Sequence, residues 1–203
     1  MSIARIDGYV DPRFSKRVLQ QHGAFLLNGT DPYEVEITDK DSAVVRGKDK
    51  AVYPDIIGEF RFYAEHIIRF YGADGSLIQD FPAKELFWVE LAEIQPTQFY
   101  IDEEKLSAVE SFIRRPEDAV IPLVKLEERY LACDGHTRLY AAYRKGFRKV
   151  RGFLTEPDDY LTVFAGEAKK RGIYQAEDME CLVHEAYVVK WHRYCEDFFR
   201  EME

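Results

Sequence analysis

Cysteine is scarce: the chain has three, Cys133, Cys181 and Cys195. They are odd in number and far apart, which argues against a disulfide framework and suits a reducing compartment. Long hydrophobic runs are missing too, and nothing approaches the roughly 20 apolar residues of a membrane helix. The opening MSIARIDGYVDPRF has neither the apolar stretch nor the cleavage pattern of a secretory signal. A cytoplasmic protein without a membrane partner is the expectation. Positive charge is also short, with 28 Lys and Arg against 37 Asp and Glu and a net charge of -9. An acidic chain lacks the field that non-specific binding to nucleic acid needs.

What remains is the composition of an ordinary globular protein, 46% hydrophobic and 32% charged, with aromatics at a generous 14%. A chain of 203 residues holds one substantial core or two small ones. Its charge is uneven. Between Arg138 and Arg151 stand six bases and no acid, whereas from Gln175 onward acids outnumber bases eight to three. A local basic patch on an acidic protein suits a small anionic ligand at least as well as a duplex.

Three segments are expected. Residues 1–84 read as a small, largely antiparallel β unit. Asp11-Pro12 resembles a helix start, Gly23 closes that short helix, and Asn28-Gly29 separates the strands AFLLNGT and YEVEIT. HIIRFYGADGSLIQDF reads as a hairpin with apolar residues alternating on each arm. Its role, whether partner binding, dimerisation or bracing, is left open.

Residues 85–155 alternate strands and helices, which predicts a compact α/β (α+β) unit. The strand FWVELAEI leads to Pro96, and DEEKLSAVESFIRR is an amphipathic helix capped by Asp102. VIPLVKL and RYLACDG are strands, HTRLYAAYRKG is a helix stopped by Gly146, and KVRGFLT is a last strand. Residues 156–203 are predicted helical. One helix starts behind Pro157, Asp158 and Asp159, and another carries Val188, Trp191, Cys195 and Phe198 on one face. That stripe reads as core or a dimer seam.

The chemistry concentrates in CDGHTRLYAAYRKGFRKV, residues 133–150. A glycine between strand end and helix start lets the backbone approach a ligand, and the open N–H groups of the first turn favour an anion. Thr137 adds a hydroxyl, and Arg138 a fork that fits phosphate oxygens. Asp134 has the chemistry to hold magnesium among phosphates, and His136 to act as general acid or base, or as a donor to phosphate. The plainer reading makes Asp134 the helix cap, Gly135 the turn and Arg138 a surface base. Tyr140, Tyr143 and Phe147 read as core, with single-strand stacking as the alternative.

Taken with VELAEIQP, DEEKLSAVESFI and IPLVKL, this stretch resembles the ParB/sulfiredoxin superfamily over roughly seventy residues, about a third of the chain. The order strand–proline, acid-led helix, strand around a proline, then strand into Gly135-His136-Thr137-Arg138 carries the likeness. Ala141-Ala142 and Gly146 continue it. The resemblance implies that the Gly135–Arg138 turn holds the phosphates of a nucleotide (ATP, ADP or CTP), with magnesium. Asp134 and His136 would be catalytic, and Asp134 would be the metal ligand. Free-serine kinases of this superfamily share the Asp-Gly-His opening, which implies a small-molecule phosphotransferase. Their glutamate base falls here around Pro96-Thr97-Gln98, where Gln98 is an amide and no base; Asp102, Glu103 or Glu104 is left to supply a carboxylate, with favouring the helix N-terminus as the simpler role of all three. Sulfiredoxins place cysteine directly after the glycine, where this chain has His136. The DNA-binding ParB proteins follow with a helix-turn-helix domain, which is not evident after Thr155. A non-catalytic regulatory or DNA-associated module is the alternative, with DNA disfavoured.

Cys181, His184, His192 and Cys195 carry zinc-capable side chains at symmetric spacing. On one continuous helix Cys181 and Cys195 would be about 21 Å apart, so packed structural residues are the expectation.

Overall fold

The computed structural model describes residues 1–6, 8–158 and 160–202. The chain divides into two compact units, Met1–Lys84 and Glu85–Glu203, each of mixed α and β structure.

In the first unit the strands are β1 (Ile3–Arg5), β2 (Ala24–Leu27), β3 (Asp31–Asp39), β4 (Ser42–Gly47), β5 (Arg69–Gly72) and β6 (Leu77–Asp80). They lie side by side in chain order in one sheet, antiparallel except for β4 and β5. A parallel pair requires a crossover, and a helix the sequence reading missed supplies it: α2 (Tyr53–Tyr63), which follows the short α1 (Lys16–Gln20). Helix α2 buries Tyr53, Ile56, Ile57 and Phe60, one helical face, against Phe25, Val35, Val45 and Phe70. Strand side chains alternate between faces, so Phe25 and Leu27 join that core. Ala24 and Leu26 meet Phe14, Val18 and Leu19 of the α1 region on the other face. Both faces of β2 are therefore covered.

Two local starts are as the residue types dictate, and one is not. Asn28 and Gly29 both take positive φ, 50° and 76°, as the central residues of a tight turn closed by the Thr30 N–H on the Leu27 carbonyl at 3.1 Å, the conformation that their chemistry favours. The hairpin of β5 and β6 forms around Gly75. Helix α1, however, starts behind Ser15, whose hydroxyl accepts the Val18 N–H at 3.2 Å. Asp11 instead binds its carboxylate to Arg13 two residues on.

The second unit runs β7 (Phe87–Glu90), β8 (Ile94–Gln95), β9 (Tyr100–Asp102), α3 (Glu103–Glu110), β10 (Val120–Leu126), β11 (Arg129–Ala132), α4 (His136–Arg144), β12 (Lys149–Leu154), α5 (Leu161–Lys170), β13 (Glu180–Leu182), α6 (His184–Tyr187) and α7 (Arg193–Met202). A π turn, Val188–His192, joins α6 to α7. The main sheet has the order β7-β12-β10-β11-β8, with β12 parallel to β10 and β11 parallel to β8. Strands β9 and β13 form a separate parallel pair. Leu106, Val109, Leu139, Ala141 and Ala142 of α3 and α4 pack with Ile94, Ile121, Leu123 and Val150 of the sheet. Ala168, Ile173, Ala176 and Met179 belong to this same core, so the C-terminal helices pack into it.

The C-terminal aromatic stripe turns inward. Trp191 and Tyr194 meet Phe99 at 5.0 and 5.1 Å between ring centres, and Phe198 meets Phe164 at 4.7 Å, all edge-on. Helix α5 begins later than the acids suggested: Leu161 is its first residue, and Asp158 heads the preceding turn. Asp159, and Glu203 at the chain end, lie outside the described residues. Among the described residues no helix is long and apolar enough to cross a membrane.

Candidate functional site

Strand β11 ends at Ala132, and three residues later Gly135 turns the chain into α4 in left-handed backbone, φ 76°. Any other side chain is strained there. A Cβ at this position would also stand 2.9 Å from the Arg138 guanidinium, because Arg138 folds back over the turn. Glycine is thus required for its conformation, and an added carbon would also make the end of the Arg138 side chain shift.

Asp134, the cap of the plainer reading, faces Arg138 instead, Oδ2 to Nη2 at 3.4 Å. Among the described residues no side chain caps the first-turn amides of His136, Thr137 and Arg138, which stand at the positive end of the helix dipole. Arg138 is not the surface base of that reading either. Its side chain is 15% exposed, against 60% for Asp134, and burial pulls its pKa down. A guanidinium has five N–H donors. Among the described residues one distant, solvated carboxylate is the ion-pair partner.

His136 is buried. Its Nε2 accepts the Thr97 N–H at 3.0 Å, while Thr97 Oγ1 lies 3.1 Å away and donates to the Ala132 carbonyl at 2.8 Å. Burial lowers the imidazole pKa, so the ring is neutral, and an accepting Nε2 puts the proton on Nδ1. The histidine thereby ties the segment after Pro96 to the first turn of α4. With Nε2 engaged, proton transfer by this ring would run through Nδ1.

Cys133, Asp158 and Tyr160 flank one side of the turn. The Cys133 thiol is pushed up to about 12, first by burial and then by Asp158 and Asp134. A thiol held protonated is a poor nucleophile, which agrees with the absence of sulfiredoxin-type cysteine after the glycine. Tyr160 donates its hydroxyl to Asp158 at 2.9 Å.

Two further bonded pairs of this unit are Gln98–Tyr187 and Asp102–His184. Gln98 Nε2 donates to the Tyr100 carbonyl and to the Tyr187 hydroxyl, the latter at 3.3 Å. The Tyr187 phenol is raised by burial first, then by Asp102, Cys195 and, among its smaller influences, Asp134. Asp102 caps α3 as expected, with Oδ1 accepting the Glu104 N–H at 2.9 Å. Its other oxygen lies 2.8 Å from His184 Nδ1. This pairing spans 82 residues. It arises because β13 runs parallel to β9 with Leu182 opposite Asp102, two residues before His184. The Asp102 side chain has 0% exposure and His184 45%. The bond to Asp102 raises the His184 pKa.

No protein-family model matches the chain, and no curated protein matches it significantly. Among solved structures, protein Atu1540 from Agrobacterium tumefaciens is similar at 17% identity and a TM-score of 0.33. The likeness takes in 46% of this chain and 51% of that one. The chain therefore spans about half the length of that relative, and a likeness at this level carries nothing about activity.

The four residues Cys181, His184, His192 and Cys195, expected as structural residues of a packed helix, do not share one helix: Cys181 is on β13, and His184 turns to Asp102. Among the described residues no group of three or more His, Cys, Asp or Glu side chains is arranged to hold a metal ion. Asp134 stands as a lone solvated carboxylate beside the turn. Such a group suits magnesium that takes most of its oxygen ligands from phosphates and water. A cavity of about 290 Å³ lies elsewhere, at the C-terminal end of α4, lined in part by Tyr143, Phe147, Arg148 and Glu177. Tyr143 is exposed there, whereas Tyr140 and Phe147 pack partly against the core.

Proposed function

We propose that the Glu85–Glu203 unit is a ParB/sulfiredoxin-like domain that binds a nucleotide, ATP or CTP in first place, through its phosphates. It transfers phosphate to a small-molecule hydroxyl. The observation that carries this reading is Arg138. A largely buried guanidinium with one long ion pair is unfavourable by itself, and it lies folded over a glycine turn beside uncapped helical amides. A phosphate seated on the amides of His136, Thr137 and Arg138 would satisfy the amides and the guanidinium together. Thr137 adds its hydroxyl, and Gly135 leaves the space.

Asp134 is the residue that would hold magnesium, whose chemistry when bound is to neutralise charge on bridging phosphate oxygens. His136 positions the turn through Thr97. Calorimetric titration with ATP, ADP and CTP in magnesium buffer tests the reading. Arg138→Ala should weaken whichever nucleotide binds by about tenfold or more. No heat with any of them, in folded protein, removes it.

A second reading, a non-catalytic module that binds nucleic acid, draws on Trp88. This exposed indole has Lys149 Nζ at 4.5 Å and the Arg151 guanidinium at 4.8 Å from its ring centre. Affinity for single-stranded DNA that falls steeply with salt, and is lost in Lys149→Ala/Arg151→Ala, would favour it.

A further inference from the structure

The nucleotide reading leaves the site without a base. Gln98 is an amide engaged as a donor, and His136 Nε2 already accepts the Thr97 N–H. The pair Asp102–His184 has the missing chemistry. A carboxylate bound to Nδ1 of an imidazole fixes the tautomer so that Nε2 carries the lone pair. It also orients the ring and stabilises the imidazolium that forms when Nε2 takes a proton. Here the carboxylate is fully enclosed and immobilised from its other oxygen by the Glu104 N–H, while nearly half of the imidazole is exposed. A surface ion pair made only for stability has neither feature.

A chain of hydrogen bonds links the helix of His184 to the phosphate turn. Tyr187 follows His184 by three residues on α6, bonds to Gln98, and has a phenol influenced by both Asp102 and Asp134. Gln98 is adjacent to Thr97, which holds His136 at the first turn of α4. Gln98 and Thr97, neighbours in the chain, thus connect Tyr187 on the helix of His184 to His136 at the turn.

We propose that His184 is the general base for the acceptor hydroxyl, with Asp102 as its positioning residue; the assignment rests on the nucleotide reading above. The acceptor O–H bond breaks and its proton passes to His184 Nε2. The oxygen forms a bond to the γ-phosphorus of the nucleoside triphosphate. The bond from that phosphorus to the bridging oxygen breaks, and its electron pair leaves on the nucleoside diphosphate. The groups that set the titration of His184 are Asp102 at the end of β9, Glu104 of α3 and Glu185 of its own helix, all of which raise it. His192 of the π turn, itself influenced by Lys105 and His184, also faces the pair. A base must be neutral to act, so the rate should climb as pH rises through a value above the usual 6.5.

The test uses the full chain with magnesium and whichever of ATP or CTP binds. Phosphate transfer to water, glycerol and L-serine is followed between about pH 5.5 and 9, with calorimetric affinity measured on the same samples. His184→Gln should bind the nucleotide as tightly as wild type and transfer phosphate about 100-fold more slowly. Asp102→Asn retains an oxygen for the cap; it should slow transfer and move the rising limb of the pH profile to lower pH. Unaltered transfer in His184→Gln with intact binding overturns the role of the pair and leaves the nucleotide site standing. Loss of binding or of folding in parallel with rate marks the pair as a structural staple and overturns it as well. Wild type that binds but transfers to no acceptor does the same. Wild type that binds no nucleotide removes both readings together.

Discussion

At the scale of single residues, the phosphate turn combines groups whose local energetics oppose one another. Arg138 lies largely buried with a weak partner, and a buried under-paired cation is commonly less stable than an apolar side chain of similar length. Arg138→Met should therefore raise the melting temperature, by the equivalent of about 1 kcal/mol, while abolishing nucleotide binding. A melt and a titration on one preparation check both halves, and a loss of stability would show that Arg138 is a structural ion pair. Gly135→Ala should cost a backbone part plus a smaller one for moving the end of the Arg138 side chain. The left-handed backbone costs about 1–2 kcal/mol, and the new methyl would displace the guanidinium 2.9 Å away. Gly75 is the internal comparison: its φ is 79°, but nothing lies within 4 Å of the added carbon, so Gly75→Ala should pay only the backbone part. Chemical denaturation of the two variants separates the terms. His136→Ala removes the acceptor of a buried N–H and leaves a cavity, and should cost about 2–4 kcal/mol.

At the scale of elements, much was legible in the sequence because local chemistry and tertiary structure agree. Asn28-Gly29 admits few turns other than the one observed, and Asp102 ahead of three charged residues and an apolar face is a cap wherever it falls. Helix α2 was missed because Tyr53-Pro54 and Gly58 look like breakers, although proline is well tolerated in a first helical turn. The start of α1 was misplaced because Asp11-Pro12 and Ser15 offer competing caps, and burial of Val18 and Leu19 selects the second. The pairing of Asp102 with His184 was not legible at all. It depends on the parallel register of β9 and β13, which no local pattern encodes. That pairing has its own pH signature. The folded-state pKa of His184 is raised, so its contribution to stability is complete below the usual 6.5 and is lost as pH rises through the raised value. Denaturation midpoints should therefore fall more steeply above neutrality in wild type than in His184→Gln. Equal slopes would mean that the bond to Asp102 contributes nothing to folding.

At the scale of the whole molecule, each of the two units has a core of its own. The first is built on Phe25, Val35, Ile56, Phe60 and Phe70, the second on Ile94, Ile101, Ile121, Leu139 and Val150. Every residue assigned to the phosphate turn and to the Asp102–His184 pair belongs to the second unit, as do Phe99 and Phe164, which the C-terminal aromatics cover. An autonomous core of this size is in the range where a domain folds unaided. Residues 85–203 expressed alone should therefore unfold in one cooperative transition and retain the nucleotide affinity of the full chain, within about twofold. Stopping the shorter chain at residue 155 should instead strip Ala168, Ile173, Ala176 and Met179 from the core and remove His184. That truncation should yield a chain without a cooperative melt. If 85–155 folds and binds nucleotide as well as 85–203 does, the C-terminal helices are an accessory to the site rather than part of its frame. The assignment of a base to α6 would then have no structural footing.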